Sequence, residues 1–230
     1  MTSRGVVLLA LVLLGCHHVR PPGETGFHDS SSRDSRRGDT GLVGEGDDYY
    51  PLGTGWSWSY DTADGGAEHR VTMGATTFEG VDCWGVSEWN SNATGGISDS
   101  STVYYMDDVS GVSLLGTEHA DSSDPTATDV LVYDPPMLFV PADPAATPQF
   151  STVGSVHLTV TRSDGAVLQD STIEWSIAGS AAAGSIDTPA GSFDGFRITY
   201  TPGASLGFAG GVGLVDEGGG RLLSSYERGM

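Results

Sequence analysis

Hydrophobic and polar positions divide this 230-residue chain into three stretches. Val6 to Leu14 is an unbroken apolar run. Residues 17–46 hold few apolar side chains among Ser, Asp, Arg and Gly. From Tyr49 onward, apolar residues recur at every second position between clusters of Gly, Asp, Ser and Pro. A period of two is the signature of a strand with one buried face.

The alternating runs can be placed one by one. Trp56, Trp58 and Tyr60 put three aromatics on one face of a first strand, with Ser57 and Ser59 on the other. Val71, Met73 and Ala75 alternate after an Asp64-Gly65-Gly66 turn signal. Cys83 to Trp89 is a third run. Residues 103–106 and 112–115 flank Asp107-Asp108 as a hairpin. Residues 130–133 lead into Asp134-Pro135-Pro136, which predicts a strand end. The five prolines between Pro135 and Pro148 predict a long crossing loop. Then come Val156, Leu158 and Val160, a turn at Asp164-Gly165, and Ile173 to Ile177. Phe196, Ile198 and Tyr200 follow. Residues 212–215 and 221–226 close a last hairpin around Gly218-Gly219-Gly220. No ten-residue segment beyond the apolar leader carries a 3.6 period. The expectation is an all-β domain over 47–230: one curved antiparallel sheet of roughly ten strands, a half-barrel or open barrel, since such a sheet must curl to limit its edges.

The first two stretches read as export and tether. Arg4 precedes the apolar run, and Gly15-Cys16 follows it. The run is too short to span a bilayer and suits the core of a secretory signal. Leu13-Leu14-Gly15-Cys16 resembles the lipobox of bacterial lipoprotein signal peptides. That resemblance implies a signal over 1–15, cut before Cys16, and a diacylglyceryl and acyl (palmitate-type) anchor on the Cys16 thiol. Two or more chains anchor stably where one does not. His17 follows the Cys; lipoproteins of diderm bacteria with Asp there tend to stay at the inner membrane, so the resemblance points to the outer membrane. Residues 16–46 then form the lipidated Cys and a flexible tether.

Charge sharpens this division. The formal net charge is −20, every basic residue is Arg, and Lys is absent. Residues 1–46 carry five Arg and five acids, so the whole surplus sits on the β domain, with five Arg against 25 acids. Such a field favours solubility and cations and repels phosphate, which excludes a nucleic-acid partner.

Catalytic chemistry finds no footing. No Gly-x-Ser-x-Gly elbow exists, and Gly111-Val112-Ser113-Leu114-Leu115 fails at its last position. His69, His119 and His157 are far apart and lack the spacing of a zinc site. Cys83, the one thiol left once Cys16 is lipidated, reads as a small buried hydrophobe. No catalytic residue and no cofactor is assigned. Calcium is the one ion to consider, because Asp61, Asp64, Asp107, Asp108, Asp121 and Asp124 place carboxylates in turns; none of these loops matches an EF-hand.

Two segments resemble a family. Tyr49-Tyr50-Pro51-Leu52-Gly53-Thr54-Gly55-Trp56-Ser57-Trp58-Ser59-Tyr60 is similar to the Tyr-Phe-Pro-Leu-x-x-Gly-x-x-Trp-x-Tyr opening of many bacterial lipoproteins. Pro189-Ala190-Gly191-Ser192-Phe193 and Gly211-Val212-Gly213-Leu214-Val215 resemble their later signatures, ending in Leu222 to Tyr226. Relatives often carry an aromatic before Ala-x-Gly-Val-Gly; Phe208-Ala209-Gly210-Gly211 keeps that pattern in altered form. The resemblance is to the DUF3108-like group and implies a curved antiparallel sheet or half-barrel without established catalysis. Pro51, Gly55, Pro189, Gly191, Gly211 and Gly213 read as turn devices, and Trp56, Trp58, Tyr60 and Phe193 as strand residues. The function expected is a membrane-tethered envelope module. It binds an envelope protein or holds an apolar ligand on a curved sheet; the alternative is a calcium-stabilised surface or adhesion domain, and an envelope hydrolase ranks behind both.

Overall fold

The computed structural model describes residues 49–120 and 126–229. The signal peptide, Cys16, the tether, Asp121 and Asp124 lie outside these residues.

The domain is a closed antiparallel barrel of twelve strands: β1 (Ser57–Asp61), β2 (Ala67–Phe78), β3 (Val81–Ser91), β4 (Ile97–Asp108), β5 (Gly111–Ala120), β6 (Ala127–Pro141), β7 (Gln149–Arg162), β8 (Val167–Thr188), β9 (Gly191–Thr201), β10 (Ser205–Ala209), β11 (Gly213–Gly218) and β12 (Arg221–Glu227). Each strand pairs with its neighbour in sequence, and β1 pairs with β12 from Ser57↔Glu227 to Asp61↔Leu222. That last pairing corrects the expected half-barrel or open barrel of about ten strands. Closure removes the two sheet edges that an open form would expose.

Two local readings are corrected with it. Asp134-Pro135-Pro136 does not end a strand. β6 runs on to Pro141, and the prolines occupy an irregularity between the pairs Gly116↔Val132 and Leu114↔Met137. A proline fits where no ladder hydrogen bond is asked of its nitrogen. The crossing loop shrinks accordingly to residues 142–148. β10 was not foreseen because Ser-Leu-Gly-Phe-Ala has no β-branched residue; it is a strand because β9 and β11 pair on either side of it. The same holds for the small residues of β8 beyond Ile177, which β9 pairs as far as Thr188↔Gly191.

A twelve-stranded barrel is wide enough to leave a lumen unless something fills it. Here the stretch before β1 enters the barrel. Tyr50 (1% exposed) and Leu52 are buried within the main core. The Tyr50 ring lies 6.0 Å from Trp58 on β1, 5.0 Å from Tyr105 on β4, 5.4 Å from Phe139 on β6 and 6.5 Å from Phe208 on β10. One side chain thus joins strands from around the barrel's circumference. A second, smaller cluster joins Phe78, Cys83, Tyr104 and Leu115, with Phe78 stacked on Tyr104 at 4.1 Å.

The two segments that opened and closed the family pattern meet in space. Trp58 Nε1 donates to Val212 O at 2.6 Å, and Tyr60 Oη donates to Leu214 O at 2.9 Å. Gly213 (φ 100°) lies between them: a Cβ there would sit 3.1 Å from Pro51 Cδ and 3.3 Å from Trp58 Nε1. Gly213→Ala is therefore expected to lower stability by about 1–3 kcal/mol, from left-handed strain plus the contact. Chemical denaturation with an unchanged m-value checks it.

Candidate functional site

β2 carries the unexpected feature of this barrel. Glu68, Arg70 and Thr72 share one face of the strand. They pair across β1 and β3 with Tyr60, Trp58, Glu88 and Val86, all of the interior. The apolar alternation Val71, Met73 lies on the other face, and Met73 is 52% exposed. On β2 the apolar residues face outward, and the charges face inward.

Five charged side chains meet there. Arg70 Nη2 lies 2.9 Å from Glu68 Oε1 and 2.5 Å from Glu217 Oε1, and Arg70 Nη1 lies 3.1 Å from Glu88 Oε1. Arg221 Nη1 lies 2.6 Å from Glu68 Oε2, and its Nε lies 3.5 Å from Glu217 Oε2. Arg70 also stands 5.6 Å over the Tyr60 ring and donates to Tyr50 Oη at 3.4 Å. Four elements supply the group: β2, β3, β11 and β12. The sheet brings them together because β1, which separates β2 from β12, closes the barrel.

Three carboxylates face two guanidiniums, so the fully ionised group carries one surplus negative charge in a buried setting. Desolvation is the largest influence on Glu88 and pushes its carboxyl up from 4.5 to about 7, with Arg70 opposing. Burial pushes Glu217 well above the carboxylate range. Glu68 is held below its usual value: burial raises it, but Arg70 and Arg221 together outweigh that. Arg70 is raised, the pull of Glu217, Glu88 and Glu68 exceeding the cost of its burial. Burial also raises the phenols of Tyr50, Tyr60 and Tyr105.

A cavity of about 40 Å³ adjoins the group, lined by Arg70, Glu88 and Glu217 with Tyr105, Phe139 and Leu214 among its apolar walls. It has room for about two water molecules. It is too small for a saccharide, a peptide or an acyl chain.

The residues singled out from the sequence fall elsewhere. Trp58 and Tyr60 are buried in the core, and Trp56 packs against it, stacked on Trp58 at 5.8 Å. Pro51 and Gly55 (φ 83°) shape the entering stretch, where Gly55 N donates to Thr72 O. Pro189 and Gly191 form the β8–β9 turn, whose Ala190 N donates to Leu223 O on β12; Phe193 packs on Tyr226 at 6.3 Å. Gly211 (φ 66°) turns the chain between β10 and β11. Asp61 is exposed at the end of β1. Asp64 Oδ1 accepts from Thr62 Oγ1 and Gly66 N, and Asp108 Oδ1 accepts from Ser110 N and Oγ, so both carboxylates fold their own turns. Asp107 is raised by partial burial and by Asp108 beside it. Among the described residues, no group of three or more His, Cys, Asp and Glu has a metal-holding arrangement.

The histidines are spread apart. His69 lies between Ser59 Oγ (3.0 Å) and Ser91 Oγ (3.2 Å) and stacks on Trp89. His119 pairs with Asp99 at 2.6 Å and His157 with Asp170 at 2.7 Å. Cys83 is buried beside Phe78 and Tyr104, and burial raises its thiol.

No family model matches the chain, and no curated protein matches it. Among solved structures, it is similar to a lipoprotein candidate from Parabacteroides distasonis, at 10% identity over 78% of this chain and 98% of that one, with a TM-score of 0.35. It is also similar to an exported-protein candidate with a YmcC-like fold from Bacteroides fragilis, at 11% identity over 78% and 99% of the two chains, with a TM-score of 0.36.

Proposed function

We propose that the protein is a lipid-anchored lipoprotein of the bacterial cell envelope, at the outer membrane, and that its barrel is a non-catalytic structural or protein-binding module. The observation that carries this reading is the ordered series Arg4, Val6–Leu14, Gly15, Cys16, followed by a polar tether of nearly balanced charge and a single acidic domain. The anchor works by transfer of acyl chains into the bilayer, about 0.8 kcal/mol per buried methylene. The acidic domain stays clear of the anionic surface by repulsion.

The filled interior favours protein binding or scaffolding over carriage of an apolar ligand. Tyr50, Phe139, Phe208 and Tyr105 occupy the volume that an acyl chain needs. Kinship with the DUF3108-like group is part of the same proposal and rests on the motifs alone.

Cys16→Ser is expected to move the protein from the membrane pellet to the soluble fraction, and palmitate labelling of the chain is expected to vanish. A variant that stays in the pellet after a high-salt wash would show that something other than a lipid on Cys16 holds it there.

A further inference from the structure

Glu217 is 2% exposed, and both its carboxylate oxygens are buried. Neither accepts a hydrogen bond: Arg70 and Arg221 neutralise it by proximity, without the alignment of N–H donation. Glu68, Glu88 and Glu217 all lie within ion-pair distance of Arg70, so three carboxylates crowd two guanidiniums. The Glu217 carboxyl lines the cavity, beside Glu88. Burying an uncompensated charge is costly, and a carboxylate so placed takes up a proton instead.

We propose that the Glu68–Glu88–Glu217 cluster is a proton-binding site: it holds one proton against the two guanidiniums of Arg70 and Arg221, and losing it loosens the barrel as the surroundings turn from mildly acidic to alkaline. The proton comes from solvent, and on unfolding it returns there. It belongs to the cluster as a whole, because groups this close titrate together.

The ionisable neighbours are few and can be named. Tyr60 faces the cluster from β1, Tyr50 from the entering stretch, and Tyr105 from β4. Glu68 and Arg70 come from β2, Glu88 from β3, Glu217 from β11 and Arg221 from β12. The phenols remain protonated throughout the relevant range, since burial raises them. Glu88 and Glu217 are both raised, so the folded cluster keeps a proton that the unfolded chain has lost above about pH 4.5. The stabilising effect of that proton is therefore complete below that value and, as far as Glu88 carries it, declines as pH rises through about 7. Glu68 works in the opposite sense, and only at low pH. The contribution of this cluster to stability is therefore largest in the mildly acidic range.

The test is carbon-13 NMR of the glutamate carboxyls from pH 4 to 9, with thermal unfolding over the same range. At least one carboxyl is expected to titrate above pH 6. The melting temperature is expected to fall by about 5 °C or more between pH 5.5 and 8. Glu217→Gln, which keeps the shape and removes the charge, is expected to abolish most of that fall. If every glutamate titrates below pH 5, no buried proton exists and the proposal is overturned. A slope that survives in Glu217→Gln belongs to other groups and also overturns it. If Glu217→Gln does not fold, the wild-type carboxyl titration and Glu88→Gln decide alone, by the same criteria. An alkali cation is the competing occupant. At pH 8, a melting temperature that rises with sodium but not with tetramethylammonium at equal ionic strength would assign the site to that ion instead of a proton.

Discussion

Arg70→Leu is expected to cost the domain on the order of 3–5 kcal/mol at pH 7, the loss seen when one partner of a buried ion group is deleted. Arg70 touches all three carboxylates, and Arg221 reaches Glu68 and Glu217. Without Arg70, three buried acids face a single guanidinium. A domain stable by about 5–15 kcal/mol loses much of its margin that way. Urea unfolding followed by tryptophan fluorescence measures it, because Trp58 is in the core beside the cluster. The loss should shrink at pH 5, where the cluster holds its proton. It should also shrink in Arg70→Leu combined with Glu217→Gln, giving a coupling energy of about 1–3 kcal/mol. Arg70→Lys should fall between, since one ammonium cannot span three carboxylates as the guanidinium fork does. A loss below about 1 kcal/mol at pH 7 would mean that the cluster is as well solvated as a surface pair.

The outline of this barrel is legible in the chain, and its interior is not. Trp56-Ser57-Trp58-Ser59-Tyr60 and Phe196 to Tyr200 show their buried faces directly. β10 and the far end of β8 do not, because Gly, Ala and Ser carry no strand signal until neighbours pair with them. Closure was hidden for a similar reason: β1 and β12 are joined by register alone, through residues more than 160 positions apart. The charge cluster was hidden by the usual rule that apolar residues face inward. On β2 that rule selects Val71 and Met73, and the interior holds Glu68 and Arg70. A signal was present all the same. The domain has only five Arg, and Glu68 and Arg70 alternate in phase with Thr72 across from Tyr60 and Trp58.

Tyr50→Ala is expected to destabilise the domain by about 3–5 kcal/mol, comparable to other large aromatic deletions in cores. The side chain is not on a strand. It enters from the stretch that links the tether expected over 16–46 to β1, and it fills the space where twelve strands leave too much room. Its removal therefore opens a hole bounded by Trp58, Tyr105, Phe139 and Phe208, four side chains fixed on four different strands. Strands tied into a closed ladder on both sides cannot collapse into that space, so the cavity penalty should be felt in full. Tyr50→Phe separates packing from polarity. It deletes only the hydroxyl, whose contacts to Arg70 and Tyr105 are both long at 3.4 Å, and should cost about 0.5–1.5 kcal/mol. A cavity with apolar walls binds small aromatic molecules. Millimolar phenol should accordingly raise the melting temperature of Tyr50→Ala and leave the wild type unchanged. If phenol has no effect and Tyr50→Ala melts within about 2 °C of the wild type, the ring does not fill the barrel, and the entering stretch is a surface strap rather than the plug that its burial describes.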